Sequence, residues 1–235
     1  MAGLPMLSFR RQRRMMIAIA SQGAARTMPD TSRRDHWDGV YTTRAEGEVS
    51  WFQPSPDASL ALISRFGDPA KSSLIDIGGG MSRLVDALAG SGNRDLTVLD
   101  LSAVALDAAR RRLGAGAAHV EWIVADVTQW RPRRTYDVWH DRAAFHFLTQ
   151  EADRIAYVEA LHEAVLPGGH AIIATFAPDG PERCSGLPVA RYDPETLAQV
   201  VGASFELVGQ SRQSHATPWG SSQSFQFSVL RRTAR

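Results

Sequence analysis

The chain is short of cysteine, of lysine and of long apolar runs. Cys184 is its only cysteine, so no internal disulfide can form. No stretch approaches the roughly 18 apolar residues that a membrane-crossing helix needs. The run Met15–Ala20 is too short for the h-region of a secretory signal, which takes about 7–15 apolar residues. Lys71 is the only lysine among 26 basic residues, and this arginine excess reads as genomic base composition, of a GC-rich bacterium, rather than as function. The histidines are scattered, without the spacing of a metal-ligand set.

What remains is ordinary globular material. The 235 residues are 44% hydrophobic and 22% charged, enough for one domain with its own core. The formal charge of +1 hides a split: residues 1–34 carry seven arginines against Asp30, a net +6, and the remainder nets −5. Residues 1–34 are therefore expected to be a disordered basic extension and residues 35–235 a single domain. A mildly acidic domain argues against a broad nucleic-acid surface. With no membrane span and no disulfide, the expected setting is the cytoplasm.

From Asp35 the pattern alternates. Apolar runs at Leu74–Ile77, Leu96–Leu99, Val120–Val124, Tyr136–Trp139 and His170–Phe176 predict strands. Helices are predicted at Ser82–Ala89, Ala103–Leu113 and Asp153–Val165, the last with Ile155, Val158, Leu161 and Val165 on its apolar face. Leu166-Pro167-Gly168-Gly169 punctuates the last helix. Such alternation predicts an α/β fold with a parallel sheet covered on both faces. Phe205–Val208 and Phe225–Leu230, with no helix between them, predict a closing antiparallel hairpin.

The first strand runs into Gly78-Gly79-Gly80. A glycine turn between strand and helix lets backbone approach a ligand closely. A dinucleotide fingerprint fails, because its third glycine falls on Arg83, and the Gly-Lys-Ser/Thr ending of a phosphate loop is absent. Asp76, two residues before the loop, would repel a pyrophosphate and suits a cationic ligand. Asp100 ends the second strand, placed to accept both hydroxyls of a ribose. Asp126 follows the third strand, placed to accept from an adenine amino group. S-adenosylmethionine is cationic and phosphate-free, and matches this set of acids.

On these residues, the chain resembles the class I S-adenosylmethionine-dependent methyltransferases over about residues 36–232. The resemblance rests on Asp76, Gly78, Gly80, Asp100, Asp126 and Leu166-Pro167-Gly168-Gly169. It implies a Rossmann-like sheet of seven strands in the order 3-2-1-4-5-7-6, strand 7 antiparallel, with helices on both faces. Leu101 and Val127 are then cofactor contacts beside Asp100 and Asp126. His36-Trp37-Asp38-Gly39-Val40-Tyr41 and Val49-Ser50-Trp51-Phe52-Gln53 resemble the N-terminal signature of bacterial small methyltransferases related to protein-lysine methyltransferases. There the segment caps the methionine end of the cofactor. Trp37, Tyr41 and Trp51 offer aromatic faces to a sulfonium, and Arg44 offers a partner for the methionine carboxylate.

The acceptor side is expected after strand four, in His140-Asp141-Arg142-Ala143. This is not the Asn/Asp-Pro-Pro-aromatic box of adenine or glutamine methylation. Asp141 and His146 are the candidate catalytic residues, His146 as a general base. Arg142 either binds an acidic substrate or pairs with Asp141. The Pro/Gly-rich loop after strand five contributes Cys184, Arg191 and Tyr192, and His215 offers closure from the other side. The expected activity is methyl transfer to a small molecule or a protein side chain. The alternatives are a catalytically silent cofactor-binding protein and an aminopropyltransferase of the spermidine-synthase type.

Overall fold

The computed structural model of the protein describes residues 30–234, with side chains from Arg33 onward. Residues 1–29 of the expected extension lie outside the described residues. Helix α1 (Asp30–Thr43) begins before residue 35, where the domain was expected to start, so Arg33 and Arg34 stand in the first helix.

Five strands, β1 (Leu74–Ile77), β2 (Leu96–Asp100), β3 (Val120–Val124), β4 (Tyr136–Arg142) and β5 (Val165–Phe176), pair in parallel as 3-2-1-4-5. A ribbon of β6 (Arg183–Cys184) and β7 (Leu187–Pro188) follows. Then β8 (Phe205–Ala216) and β9 (Ser222–Arg232) form a hairpin, with β9 antiparallel to β5. Counted within the main sheet alone, the order is 3-2-1-4-5-7-6, as expected from the resemblance. The hairpin is longer than the sequence pattern suggested. Its polar stretch Gln210–Ser214 lies on the edge strand, where solvent satisfies side chains that a central strand would exclude.

The central strands are apolar almost throughout because each face meets its own helical layer. Ile75, Ile77, Trp139 and Ile173 pack under α5 (Glu151–Ala164) and α6 (Pro194–Val201). Leu74, Val98, Val138 and Ile172 pack under α2 (Asp57–Phe66), α3 (Leu84–Gly90) and α4 (Ala103–Leu113). One expectation needs correction. Ile155 is 53% exposed, and α5 instead buries Tyr157, Ala160, Leu161 and Ala164. Two positions before the buried Tyr157, Ile155 falls on the opposite side of the helix and faces solvent.

Candidate active site

The carboxyl ends of β1, β2 and β3 open into a cleft of about 770 Å³, lined by Gly78, Asp100, Leu101, Asp126 and Val127 and roofed by Trp37, Tyr41 and Trp51. A second cleft of about 550 Å³ adjoins it at Asp76, Gly79 and Ser82. Tyr41, Trp51, Gly78 and Arg142 border both, so the two are halves of one groove.

Backbone geometry shapes that groove. Gly78 and Gly80 have φ of +64° and +47°, a region that only glycine enters without strain. A Cβ on Gly80 would lie 2.9 Å from the Tyr41 hydroxyl and 3.1 Å from Asp100 Oδ2. The loop therefore brings lid and floor together at a place where only a hydrogen fits.

The three acids are held differently. Asp76 Oδ1 accepts from His140 Nδ1 at 2.7 Å, and His140 Nε2 lies 2.9 Å from Ser59 Oγ on α2. The parallel register sets Asp76 opposite His140, which makes this pair possible. Asp100 Oδ1 accepts from the Ser102 amide at 2.8 Å. Burial pushes its pKa up to about 7, aided by Asp76 and Asp38 and opposed by the Ser102 and Gly80 amides. Asp126 Oδ1 is filled by the Thr128 amide and hydroxyl. Asp126 Oδ2 is buried without a hydrogen bond. Arg33 Nη2 lies 2.8 Å from it, close enough for an ion pair but off the hydrogen-bonding direction.

Trp37 stands at the centre of an aromatic group, with ring centroids 5.7 Å from Trp51, 6.1 Å from Tyr41 and 5.0 Å from Phe147. Arg44 is exposed and lines neither cleft, so the structure does not bring it to the groove.

On the acceptor side, strand alternation separates what the sequence set side by side. Asp141 points into the α5 layer, fully buried. It accepts from the Ala144 and Phe145 amides and from the Tyr157 hydroxyl. Burial raises its pKa to about 6, against those three donors. Its geometry is that of a residue holding the turn after β4, outside both clefts. Neighbouring strand residues face opposite sides, so Arg142 turns the other way and the Asp141–Arg142 pairing is not made. Arg142 Nη1 donates to the Trp51 carbonyl at 3.0 Å, and its guanidinium sits 4.5 Å over Phe225.

His146 is fully buried between Phe147 and Phe176 and lines neither cleft. Burial, then Arg142, lower its pKa to about 3. Cys184 lines the first cleft as a thiol, its pKa raised by burial to about 11. His215 is buried with Nε2 on the Ser50 carbonyl at 2.7 Å. Tyr192 packs against Phe145 in the core, and Arg191 pairs with Glu182 in the loop. Neither reaches the groove. Arg33, Phe147 and the Ser59–His140 pair belong to the site without having been singled out in the sequence. The spacing from Asp76 to His140 carries no local signal, because only sheet pairing joins them.

Residues 74–169 match a family model described as a methyltransferase domain. In this stretch the chain is similar to methyltransferase domains. The matched stretch runs from β1 to the start of β5 and contains all three acids. Over 124 residues the chain is 28% identical to nodulation protein S of Rhizobium tropici, covering 53% of this chain and 51% of that protein. The match thus spans about half of that relative's length. An S-adenosylmethionine-dependent methyltransferase from Anabaena variabilis superposes with a TM-score of 0.69 at 15% identity, over 88% of this chain and 96% of its own. A Burkholderia thailandensis 1,6-didemethyltoxoflavin N1-methyltransferase, solved with S-adenosylhomocysteine, superposes at 0.60 with 22% identity, over 86% and 85%. Both likenesses concern the fold. No helix among the described residues is long and apolar enough to cross a membrane.

Proposed function

We propose that the chain is an S-adenosylmethionine-dependent methyltransferase acting on a small molecule. The observation that carries this reading is the set of acids at the ends of three successive strands, with Asp126 Oδ2 buried, ion-paired to Arg33 and without a hydrogen bond of its own. A buried acceptor without a hydrogen bond is costly, and an adenine amino group relieves it. Asp100 is the ribose acceptor and Asp76, steadied by His140, faces the ammonium. The Gly80 cradle and the aromatic roof complete the fit.

When bound, the cofactor supplies an electrophilic methyl on a cationic sulfur. The residues of this chain do the rest by placement. Trp37, Tyr41 and Trp51 cover the groove, keep water out and present aromatic faces to positive charge. The wall after β4 and the loop carrying Cys184 align the acceptor in line with the methyl. His146, neutral and outside the groove, supports the wall by packing. The half-buried cation Arg142 disfavours a polyamine, and with it an aminopropyltransferase. A cytoplasmic setting suits a chain whose single cysteine can form no internal disulfide.

Calorimetry with S-adenosylhomocysteine tests the cofactor half of this reading. Wild-type protein is expected to bind, and Asp100→Ala to lose binding by at least about tenfold. Unchanged affinity would overturn the ribose assignment. Turnover with methyl-labelled cofactor and a cell lysate tests the other half, with label expected in the small-molecule fraction.

A further inference from the structure

The acceptor half of the groove holds an uncompensated cation. Arg142 Nε and Nη2 are buried and find no hydrogen-bond partner. Among the described residues no carboxylate lies within ion-pair distance of this guanidinium. Asp76, the nearest acid to act on its charge, is engaged by His140. The other neighbours give no negative charge: Cys184 is held as the thiol, and His146 and His215 are driven towards neutral by burial and by Arg142 itself. His146 adds two more buried nitrogens without partners.

A buried charge in this condition is costly unless a ligand completes it. Arg142 borders the groove beside Trp51, Phe147 and Cys184, and its guanidinium leans on Phe225 of β9. That strand lies on the β5 side of β4, away from the glycine loop. Arg142 borders both halves of the groove, and this stacking draws its guanidinium to the side of β4 away from the glycine loop. A cationic sulfur in the same groove adds a second positive charge and sharpens the demand.

We propose that the methyl acceptor is a small organic carboxylate, anchored by its anionic group on the free donors of Arg142. The guanidinium fork suits a carboxylate bidentately, and the apolar rims Trp51 and Phe147 suit a flat or aliphatic body. The same charge works against a protonated amine, so protein lysine is disfavoured as acceptor. This inference rests on the methyltransferase reading.

The test is calorimetric titration of wild-type protein, saturated with S-adenosylhomocysteine, with benzoate, phenylacetate and 4-hydroxybenzoate, and with benzylamine as the cationic control. The carboxylates are expected to bind and benzylamine not. Arg142→Gln should weaken carboxylate binding by about tenfold or more while holding S-adenosylhomocysteine affinity within about twofold. Arg142→Lys, which keeps the charge without the fork, should fall between them. Failure of all three carboxylates to bind, or benzylamine binding equally well, overturns the inference. If Arg142→Gln instead weakens S-adenosylhomocysteine and spares the carboxylates, the guanidinium serves the cofactor and the inference fails. Absence of S-adenosylhomocysteine binding by wild-type protein would instead sink the methyltransferase reading itself.

Discussion

Asp100 sets binding against stability. Its folded pKa of about 7 lies above the ordinary carboxylate value of 3.8. The native state therefore holds this proton more tightly than the unfolded chain does, and native stability is lost as pH rises through that window. Asparagine has no such proton to lose. Asp100→Asn is expected to melt higher than wild type at about pH 8, and the gain should shrink as pH falls below about 7. Thermal melts of both proteins across that range check it. Cofactor binding has the opposite sign, since ribose hydroxyls need the carboxylate. Wild-type affinity should fall by up to about tenfold per pH unit below 7. His146 gives a second prediction at this scale. Its two unpartnered nitrogens cost stability where it packs between Phe147 and Phe176, so an apolar side chain of similar size removes a cost. His146→Leu should match or exceed the wild-type melting temperature. A clear fall would show that the ring has a polar partner in solution.

At the scale of elements, α1 behaves as a roof rather than as part of the sheet. It is tied at one end by Arg33 to Asp126 and Asp153, and mid-helix by Asp38 to Ser102. Trp37 joins it to Trp51 and Phe147 across the groove. Trp37→Ala should weaken cofactor binding by about tenfold, from lost apolar cover and aromatic attraction, and lower the melting temperature only slightly, because the sheet core does not include this ring. A large melting loss would place α1 in the folding core instead. The aromatic pattern of this segment was legible, but its helix was not: Gly39 and Thr42 are poor helix formers, and tertiary contacts outweigh propensity. Helix α6 was missed although its signals are local. Asp193 caps the Thr196 amide and Pro194 occupies the first turn, yet no element was expected between Tyr192 and Phe205.

For the molecule as a whole, the strands and the positions of the three acids were readable, because apolar runs and strand-end residues are local features, whereas the strand order came only with the family resemblance. The acceptor wall was not, since it depends on which way each residue of β4 faces. His140 and Arg142 point to one layer and Asp141 to the other, and only the paired sheet fixes that choice. The boundary between basic extension and domain also depends on tertiary contacts. Charge counting set it after Arg34, yet Arg33 lies 2.8 Å from Asp126 and 3.5 Å from Asp153. A chain starting at Asp30 keeps this double ion pair, whereas one starting at Asp35 removes it and the first turn of α1. Because Arg33 is only partly exposed, the pairs are screened less than surface ones. Asp126 would then stand buried without a counter-charge. The shorter chain should melt lower than the full-length protein and bind S-adenosylhomocysteine more weakly. The chain from Asp30 should match full-length protein in both measurements. Equal behaviour of the two truncations would mean that α1 acts on the groove through Trp37 and Tyr41 alone.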